Sequence, residues 1–422
     1  MAARLDSKLS HCISSLLSFL SAKGTSFMTT NSYNFTTTLD RTNSFAAKTN
    51  HQIVKDFLGV NYYDDTISLW VADMDFECAP AITRALTNRA MQGTLGYTQQ
   101  TEPYYDSIIN WYGRRHNMSI EQDWIVYSAG TVSAVRNVIR AFSKEGEGVI
   151  IQPPVYYPFQ LQIQETNREV VRNHLIRDQN NQYSIDLVDF EEKCKDPNNK
   201  IFIYCNPHNP TGNIWSAEVT QSLLKICADN DVLFFSDEIH ADLIRKDSSF
   251  TSALNLEHSE NTIIATAVNK TFNVAGLHIT NLVIKNASHR ETLNNCTGKV
   301  GMSPFALDAT IAAFNEEEQW VEEVNNVIDT NLALMASFIK QRIPKIQFYV
   351  PEATYLAWLD FSEFGLEEAD LLNLLADEAH LVLEGGSMFG EMGRGFIRMN
   401  VACPTAVIEE ALERLERVFA SR

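Results

Sequence analysis

Lys270 is the residue whose position offers the most specific chemistry, because it follows directly on a short apolar run. Residues 263–268 are apolar or β-branched, which predicts a buried strand ending in the polar residues Asn269, Lys270 and Asn273. At the carboxyl end of a parallel strand the amine would face a ligand site and be partly desolvated. Such an amine suits Schiff-base chemistry. The alternative is an ordinary solvated lysine, which this residue alone does not exclude.

Carboxylates also follow predicted strands. Asp237 ends an apolar run, where it suits either a ligand site or the N-cap of a helix. Asp73 and Asp75 follow another apolar run, and two acids so close could serve acid/base catalysis or bind a metal ion. The two acids stand too close together in the sequence for either role, so we predict that they cap the helix that starts near Pro80.

Two turns supply polar groups at further strand ends. The turn 128–131 joins a predicted strand at 124–127 to a helix at 132–142, so its backbone N–H groups point toward one place and suit an anion such as phosphate. The loop 205–212 contains two prolines and a glycine, which hold Asn209 in a rigid turn.

The elements that must position these residues alternate between strand and helix from about residue 124 to 285, which is typical of a largely parallel sheet covered on both faces. An amphipathic helix from Glu316 to Arg342 then leads into a smaller α+β domain. The predicted divisions are a tail at 1–30, an N-terminal arm at 31–75 that contributes to the small domain, a large domain at 76–315, and the connecting helix with the small domain at 316–422.

Composition excludes several classes of function. The 422 residues carry a formal net charge of -19, which argues against nucleic acid and anionic membrane surfaces as partners. The seven cysteines are scattered without a C-x-x-C spacing, so we expect neither a zinc site nor disulfides, and a cytoplasmic location. An apolar patch at 13–20 resembles a weak targeting segment, but Asp6 favours a disordered tail or a later start at Met28.

Read together, five segments resemble the fold-type I pyridoxal-phosphate (PLP) enzymes of the class I/II aminotransferase superfamily, and within them the MalY/PatB-like cystathionine β-lyase branch. The segments, in the family's order, are Trp70–Phe76 (WVADMDF), Asn206–Gly212 (NPHNPTG), Ser236–His240 (SDEIH), Lys270–Asn273 (KTFN) and Gly395–Asn400 (GFIRMN). The resemblance covers the chain from about Asp40 to its end. It implies a three-layer PLP-transferase fold, whose large domain binds the cofactor.

The resemblance also implies roles for the residues that hold the cofactor ring. Lys270 would form the Schiff base with PLP and later take the Cα proton of the substrate. Asp237 would keep the pyridine nitrogen protonated, because the ring accepts electrons only in that state. Asn209 would donate to the phenolate oxygen and Tyr156 would stack on the ring face. His240, in the segment that carries Asp237, is predicted to bind the cofactor as well.

Other matching positions concern the phosphate, the substrate and a second subunit. Gly130, Thr131 and Val132 would receive the phosphate through backbone N–H groups. Arg398 would grip the substrate α-carboxylate with two parallel donors, whereas outside this family it would be read as a structural ion pair. Tyr97 resembles a tyrosine that reaches the neighbouring subunit's cofactor and substrate, which implies a homodimer with shared active sites.

Two positions depart from the family's pattern. Asn269 stands where a serine usually precedes the lysine, and His278 stands where many superfamily aminotransferases have a phosphate-binding arginine. We expect Asn269 to contact the cofactor and the phosphate to be held less tightly.

The predicted reaction is β-elimination from cystathionine or another cysteine S-conjugate, giving a thiol, pyruvate and ammonia. An aminotransferase is the alternative, because the same deprotonated intermediate serves both reactions. A PLP-binding regulatory protein is a more remote reading, and the intact Lys270, Asp237, Asn209 and Arg398 argue against it.

Overall fold

The structure is a computed structural model and describes residues 33–179, 181–298 and 300–422. The predictions made for the tail at 1–30 lie outside these residues. Among the described residues, no helix is both long and apolar enough to cross a membrane.

Strands and α-helices alternate along the described chain. The strands are β1 Ile67–Ser68, β2 Ile125–Ser128, β3 Gly148–Ile151, β4 Glu169–Arg172, β5 Ile176–Arg177, β6 Tyr183–Ser184, β7 Asn199–Cys205, β8 Leu233–Asp237, β9 Thr262–Thr266, β10 Thr280–Val283, β11 Gln347–Phe348, β12 Leu356–Asp360, β13 Leu381–Val382, β14 Glu384–Gly385 and β15 Phe396–Asn400. The helices are α1 His51–Leu58, α2 Pro80–Met91, α3 Glu102–His116, α4 Thr131–Phe142, α5 Pro158–Glu165, α6 Leu187–Lys195, α7 Ala217–Asp229, α8 Val268–Thr271, α9 Ala287–Thr297, α10 Pro304–Glu316, α11 Glu318–Arg342, α12 Glu368–Asp377 and α13 Thr405–Phe419.

The large sheet has seven strands in the order β2-β10-β9-β8-β7-β3-β4. Strands β4, β3, β7, β8 and β9 are parallel, whereas β10 runs antiparallel to both of its neighbours. Both faces are covered: in β7, Ile201 and Ile203 join a core shared with α4 and α5, while Phe202 packs on Phe190 of α6 and the Tyr204 hydroxyl bonds Thr220 of α7. The predicted mostly parallel three-layer α/β fold is confirmed.

A second, antiparallel sheet of four strands has the order β11-β12-β15-β14. The N-terminal arm reaches this part of the chain, because Ile67 and Ser68 pair in parallel with Leu381 and Val382. The contacts nevertheless join residues 34–422 into one compact unit, so the predicted domain limits stay a prediction.

Two of the differences between the predicted and the observed elements have a clear physical cause. The strand expected at 263–268 ends at Thr266, and Val268 begins the single-turn helix α8 that carries Lys270. A short apolar run does not distinguish a buried strand from a buried helix. The helix expected from Glu316 is interrupted at Glu317, whose carboxylate accepts a 2.5 Å hydrogen bond from the Ala81 backbone N–H.

Candidate active site

The candidate site is a cavity of about 200 Å³ at the carboxyl edge of the parallel strands. Asp237 ends β8, Asn209 follows β7, and Lys270 follows β9. Neighbouring parallel strands point their carboxyl ends to one edge, which brings these residues together. Six of the predicted site residues line this cavity: Lys270, Asp237, Asn209, Tyr156, His240 and Arg398.

The Lys270 amine is prepared for reaction with a carbonyl group. Its Nζ donates a 2.8 Å hydrogen bond to the Ala72 carbonyl oxygen. Burial lowers its pKa to about 8, and the positive charge of Arg398 acts in the same direction. A substantial fraction of this amine is therefore neutral near pH 8.

Asp237 is a buried carboxylate that has only a weak hydrogen bond to the protein. Its Oδ1 accepts a 3.4 Å hydrogen bond from the Ile239 backbone N–H, and no helix follows it, so it is not a helix N-cap. Burial raises its pKa to about 7, and the nearby Glu238 adds to this effect. A cationic ring nitrogen placed against Asp237 would favour the ionised carboxylate, as the predicted role requires.

Buried polar atoms around the cavity indicate whether its lining suits PLP and an amino acid. Among the residues that the structure describes, His240 Nδ1 and Arg398 Nε are buried and lack a hydrogen-bond partner, although buried nitrogens normally have one. Burial also lowers the pKa of His240 well below its ordinary value, so the ring is neutral. These unsatisfied atoms fit a site that completes its hydrogen bonds with a polar ligand.

Arg398 lies at the wall of the cavity and has several partners. Its Nη1 donates to Asn209 Oδ1 at 3.0 Å, and its Nη2 donates to the Trp70 carbonyl oxygen at 3.2 Å. Nη2 also forms an ion pair with the buried carboxylate of Glu384, and the guanidinium lies 4.8 Å from the Phe389 ring centre. This packing fixes the plane of the guanidinium, on which recognition of a carboxylate by parallel donors depends.

The predicted capping role of Asp73 and Asp75 is wrong. Helix α2 begins at Pro80 without a side-chain cap, and both acids instead form ion pairs with Arg41 and with Lys48, which is 1% exposed. Burial alone would raise the pKa of Asp73, but the hydrogen bond from Arg41 and the charge of Lys48 lower it. The two acids tie the N-terminal arm to the cavity wall.

The predicted phosphate end lies at the start of α4. Gly130 adopts a φ of 96° and its N–H donates to the Ser128 carbonyl oxygen at 2.8 Å, so this N–H is engaged within the turn. Thr131 and Val132 occupy the first turn, whose N–H groups have no partner within a helix. His278 Nδ1 lies 3.7 Å from the point that a Cβ on Gly130 would occupy, so this histidine borders the turn.

Asn269 and Tyr97 do not line the cavity. The Asn269 side chain is buried and its Oδ1 accepts a 3.3 Å hydrogen bond from the Ile279 backbone N–H, so it holds the turn after Lys270. Tyr97 is fully exposed and lies in a separate groove with Tyr127 and Arg290. Their predicted roles toward a cofactor or a second subunit stay predictions.

Glu384 is the charged cavity residue for which the sequence predicted no role. It stands between a predicted strand at 381–383 and a Gly-rich loop, and it is 2% exposed. Antiparallel pairing places it directly opposite Arg398. The available signal was a single acid inside an otherwise apolar and Gly-rich stretch, where an unpaired charge is rare.

Comparisons with known proteins agree with this architecture. The profile of the class I and II aminotransferases matches residues 64–415. Cystathionine β-lyase PatB of Bacillus subtilis (strain 168) is 35% identical over 84% of this chain and 93% of its own length.

Two solved structures have the same fold. A PLP-bound protein of Clostridium difficile 630 named as an aminotransferase is 36% identical, with a TM-score of 0.87 over 92% of this chain and 100% of its own. Cystalysin of Treponema denticola, which contains PLP, is 34% identical, with a TM-score of 0.86 over 92% of this chain and 98% of its own. The chain belongs to the class I and II aminotransferase family.

Proposed function

We propose that this protein is a PLP-dependent carbon–sulfur β-lyase that cleaves cystathionine or related cysteine S-conjugates to a thiol, pyruvate and ammonia. The observation that carries the proposal is the convergence of Lys270, Asp237 and Arg398 on one buried cavity with unsatisfied hydrogen-bonding atoms. The similarity to cystathionine β-lyase PatB and to cystalysin favours the lyase branch.

The chain offers a group for each part of the cofactor. Lys270 would attach covalently to the aldehyde, Asp237 would face the ring nitrogen, and Asn209 and Tyr156 would contact the ring. Thr131 and Val132 would hold the phosphate with their backbone N–H groups. When bound, PLP supplies the electron sink that makes the Cα proton of an amino acid removable.

Different residues of this chain then carry out separate steps of the elimination. Arg398 binds the substrate carboxylate, and Lys270 takes the Cα proton with an amine whose pKa burial lowers to about 8. The Cβ–sulfur bond breaks with its electron pair going to sulfur, which takes up a proton. The remaining three-carbon enamine reacts with one water to give pyruvate and ammonia.

The test is to incubate the PLP-loaded protein with cystathionine and no 2-oxo acid. Release of pyruvate together with a free thiol is the expected result, because elimination needs no amino acceptor. Turnover that strictly requires an added 2-oxo acid would reject the lyase assignment and establish an aminotransferase.

A Lys270→Ala variant distinguishes an enzyme from a regulatory protein. We expect it to lose both the visible absorbance of the bound cofactor and turnover, because the amine that attaches PLP is gone. Lys285→Ala is the matched control, since Lys285 is exposed and outside the cavity. A biological effect that survives in the Lys270→Ala protein would indicate a regulatory role.

The proposal includes a homodimer and a cytoplasmic location. Tyr97 exposes its whole side chain, which suits a residue that reaches a second subunit. The described cysteines are all free: Cys78, Cys194, Cys205, Cys227, Cys296 and Cys403. Free thiols are typical of proteins in a reducing compartment, and cell fractionation tests the location.

A further inference from the structure

Glu384 and Arg398 form a buried pair within the small sheet. They stand directly opposite each other in the antiparallel pair β14–β15, so their side chains lie on the same face, and both line the cavity. Both side chains are almost completely buried, at 2% and 3% exposure, and they contact each other through Arg398 Nη2. Glu384 therefore already pairs with the guanidinium group that, in the proposed function, binds the substrate carboxylate.

A substrate carboxylate that binds Arg398 must accommodate the partners that the guanidinium group already has. Nη1 is engaged by Asn209 and Nη2 by Trp70 and Glu384, while Nε has no partner in the part of the chain that the structure describes. A second carboxylate must therefore share the guanidinium with Glu384. Two carboxylates on one buried cation leave an uncompensated negative charge, which a low-dielectric site disfavours strongly.

We propose that Glu384 couples binding of the substrate carboxylate to the uptake of one proton from solvent. The proton neutralises Glu384 as the ligand carboxylate takes over the charge of Arg398, so the net charge of the site is conserved. The neutral carboxyl group then presents an O–H donor to the ligand. This inference rests on the proposed role of Arg398 and makes Glu384 a positioning residue for the amino acid.

The surroundings of Glu384 favour this coupling. Burial raises its pKa, while Arg398 and Lys270 oppose the rise, so loss of the Arg398 charge to a ligand raises it further. Tyr156 and Tyr157 also face it; burial raises the pKa of both, that of Tyr157 to about 12, so they stay protonated below pH 9.

Glu368 of α12 lies on the other side of the strand. A side chain on Gly385 would meet it, and neighbouring residues of a strand point to opposite faces. Glu368 therefore does not take part in the exchange of charge at Arg398.

The test uses the PLP-loaded protein and 3-(methylsulfanyl)propanoate, a thioether carboxylate without an amine. Calorimetric titration at each pH between 6 and 9, in two buffers of different ionisation enthalpy, counts the protons taken up on binding. The variants are Glu384→Gln and the control Glu391→Gln, which removes an exposed carboxylate from the same loop region.

We expect the wild-type protein to take up close to one proton more than Glu384→Gln, and its Kd to rise up to about tenfold per pH unit where Glu384 titrates. Binding by Glu384→Gln should show a smaller dependence on pH, and Glu391→Gln should match wild type. Because the charge of Glu384 also raises the pKa of Lys270, the visible absorbance of the cofactor is followed over the same pH range in all three proteins, and any difference in the titration of Lys270 or the cofactor is subtracted from the proton count.

Equal proton counts and equal pH slopes in wild type and Glu384→Gln would overturn the inference. If Glu384→Gln does not fold, a wild-type count of zero across the pH range is sufficient to reject it. Failure of the lyase proposal is separately visible, because the probe carries no amine and its binding is measured without turnover.

Discussion

At the scale of single residues, burial moves two groups of opposite charge toward neutrality. The pKa of Lys270 is lowered to about 8 and that of Asp237 is raised to about 7, in both cases mainly because the charged form is desolvated. An amine attacks an aldehyde only in its neutral form, so the first shift prepares Lys270 to attach the cofactor.

The lowered pKa of Lys270 predicts how cofactor loading depends on pH. The rate at which PLP-free protein acquires visible absorbance should increase as pH rises from 7 to 9 and level off above about 9, because the neutral fraction of the amine saturates there. Stopped-flow absorbance at fixed PLP concentration measures it. An inflection near the ordinary lysine value of 10.5 would contradict the prediction.

At the scale of elements, the segment 70–76 connects the parts of the molecule that form the cavity. It has no regular secondary structure, and side chains bind its carbonyl groups instead. Lys270 donates to Ala72, and Asn400 of β15 donates to Val71 and Asp73. The large sheet and the small sheet thus hold the same stretch of chain, which fixes Lys270 relative to Arg398.

Asn273 is the side chain that holds this segment on the Lys270 side. Its Oδ1 accepts from the Met74 N–H at 2.8 Å, and its Nδ2 donates to the carbonyl oxygens of Met74 and Phe76 at 3.0 Å each. We expect Asn273→Ala to lower the free energy of unfolding by roughly 2 kcal/mol more than Asn167→Ala. Denaturant unfolding measures both.

Asn167 is the matched control because its φ of 58° equals that of Asn273, 57°, within a degree. The backbone strain that alanine introduces is therefore the same in both variants. Asn167 is exposed and its amide makes a single 3.4 Å bond to Glu145. Equal losses of stability would show that the bonds to the segment 70–76 contribute nothing.

At the scale of the whole molecule, an acidic protein places two basic side chains beside the acids Asp73, Asp237 and Glu384 in one cavity. The net charge is -19, yet Lys270 and Arg398 face the candidate substrate site. The fully exposed Tyr97 lies in a groove of its own, so within one chain it does not belong to this site. The proposed homodimer would assign it to the site of the partner.

Mixing two variants, each of which lacks one residue of the proposed shared site, tests this arrangement. In a Tyr97→Ala and Lys270→Ala heterodimer, one site combines Lys270 from the first chain with Tyr97 from the second. Random exchange of subunits makes half of the dimers mixed, so lyase activity should return to about a quarter of the wild-type value.

Lys270→Ala mixed with Arg398→Ala is the control pair. Both residues line one cavity within a single chain, so no mixed dimer contains an intact site. Recovery by this pair, or no recovery by the Tyr97 pair in a demonstrated dimer, would reject the shared site.

The sequence by itself determined the α/β order of the chain and the edge at which Lys270, Asp237 and Asn209 meet. Each of these residues follows an apolar run, and the carboxyl ends of parallel strands share one edge whatever the exact register is. Local patterns were sufficient because they locate each of these strand ends to within about two residues, as for β9, which was predicted to end at 268 and ends at Thr266.

Only the tertiary structure decided which side chains pair across the cavity. Glu384 opposes Arg398 through the register of β14 and β15, and Lys48 reaches Asp75 from 27 residues away. Register and long-range contacts arise when separate elements pack, and a residue's local neighbours do not encode them. For this reason the local sequence pattern predicted helix caps at Asp73 and Asp75 and no role for Glu384.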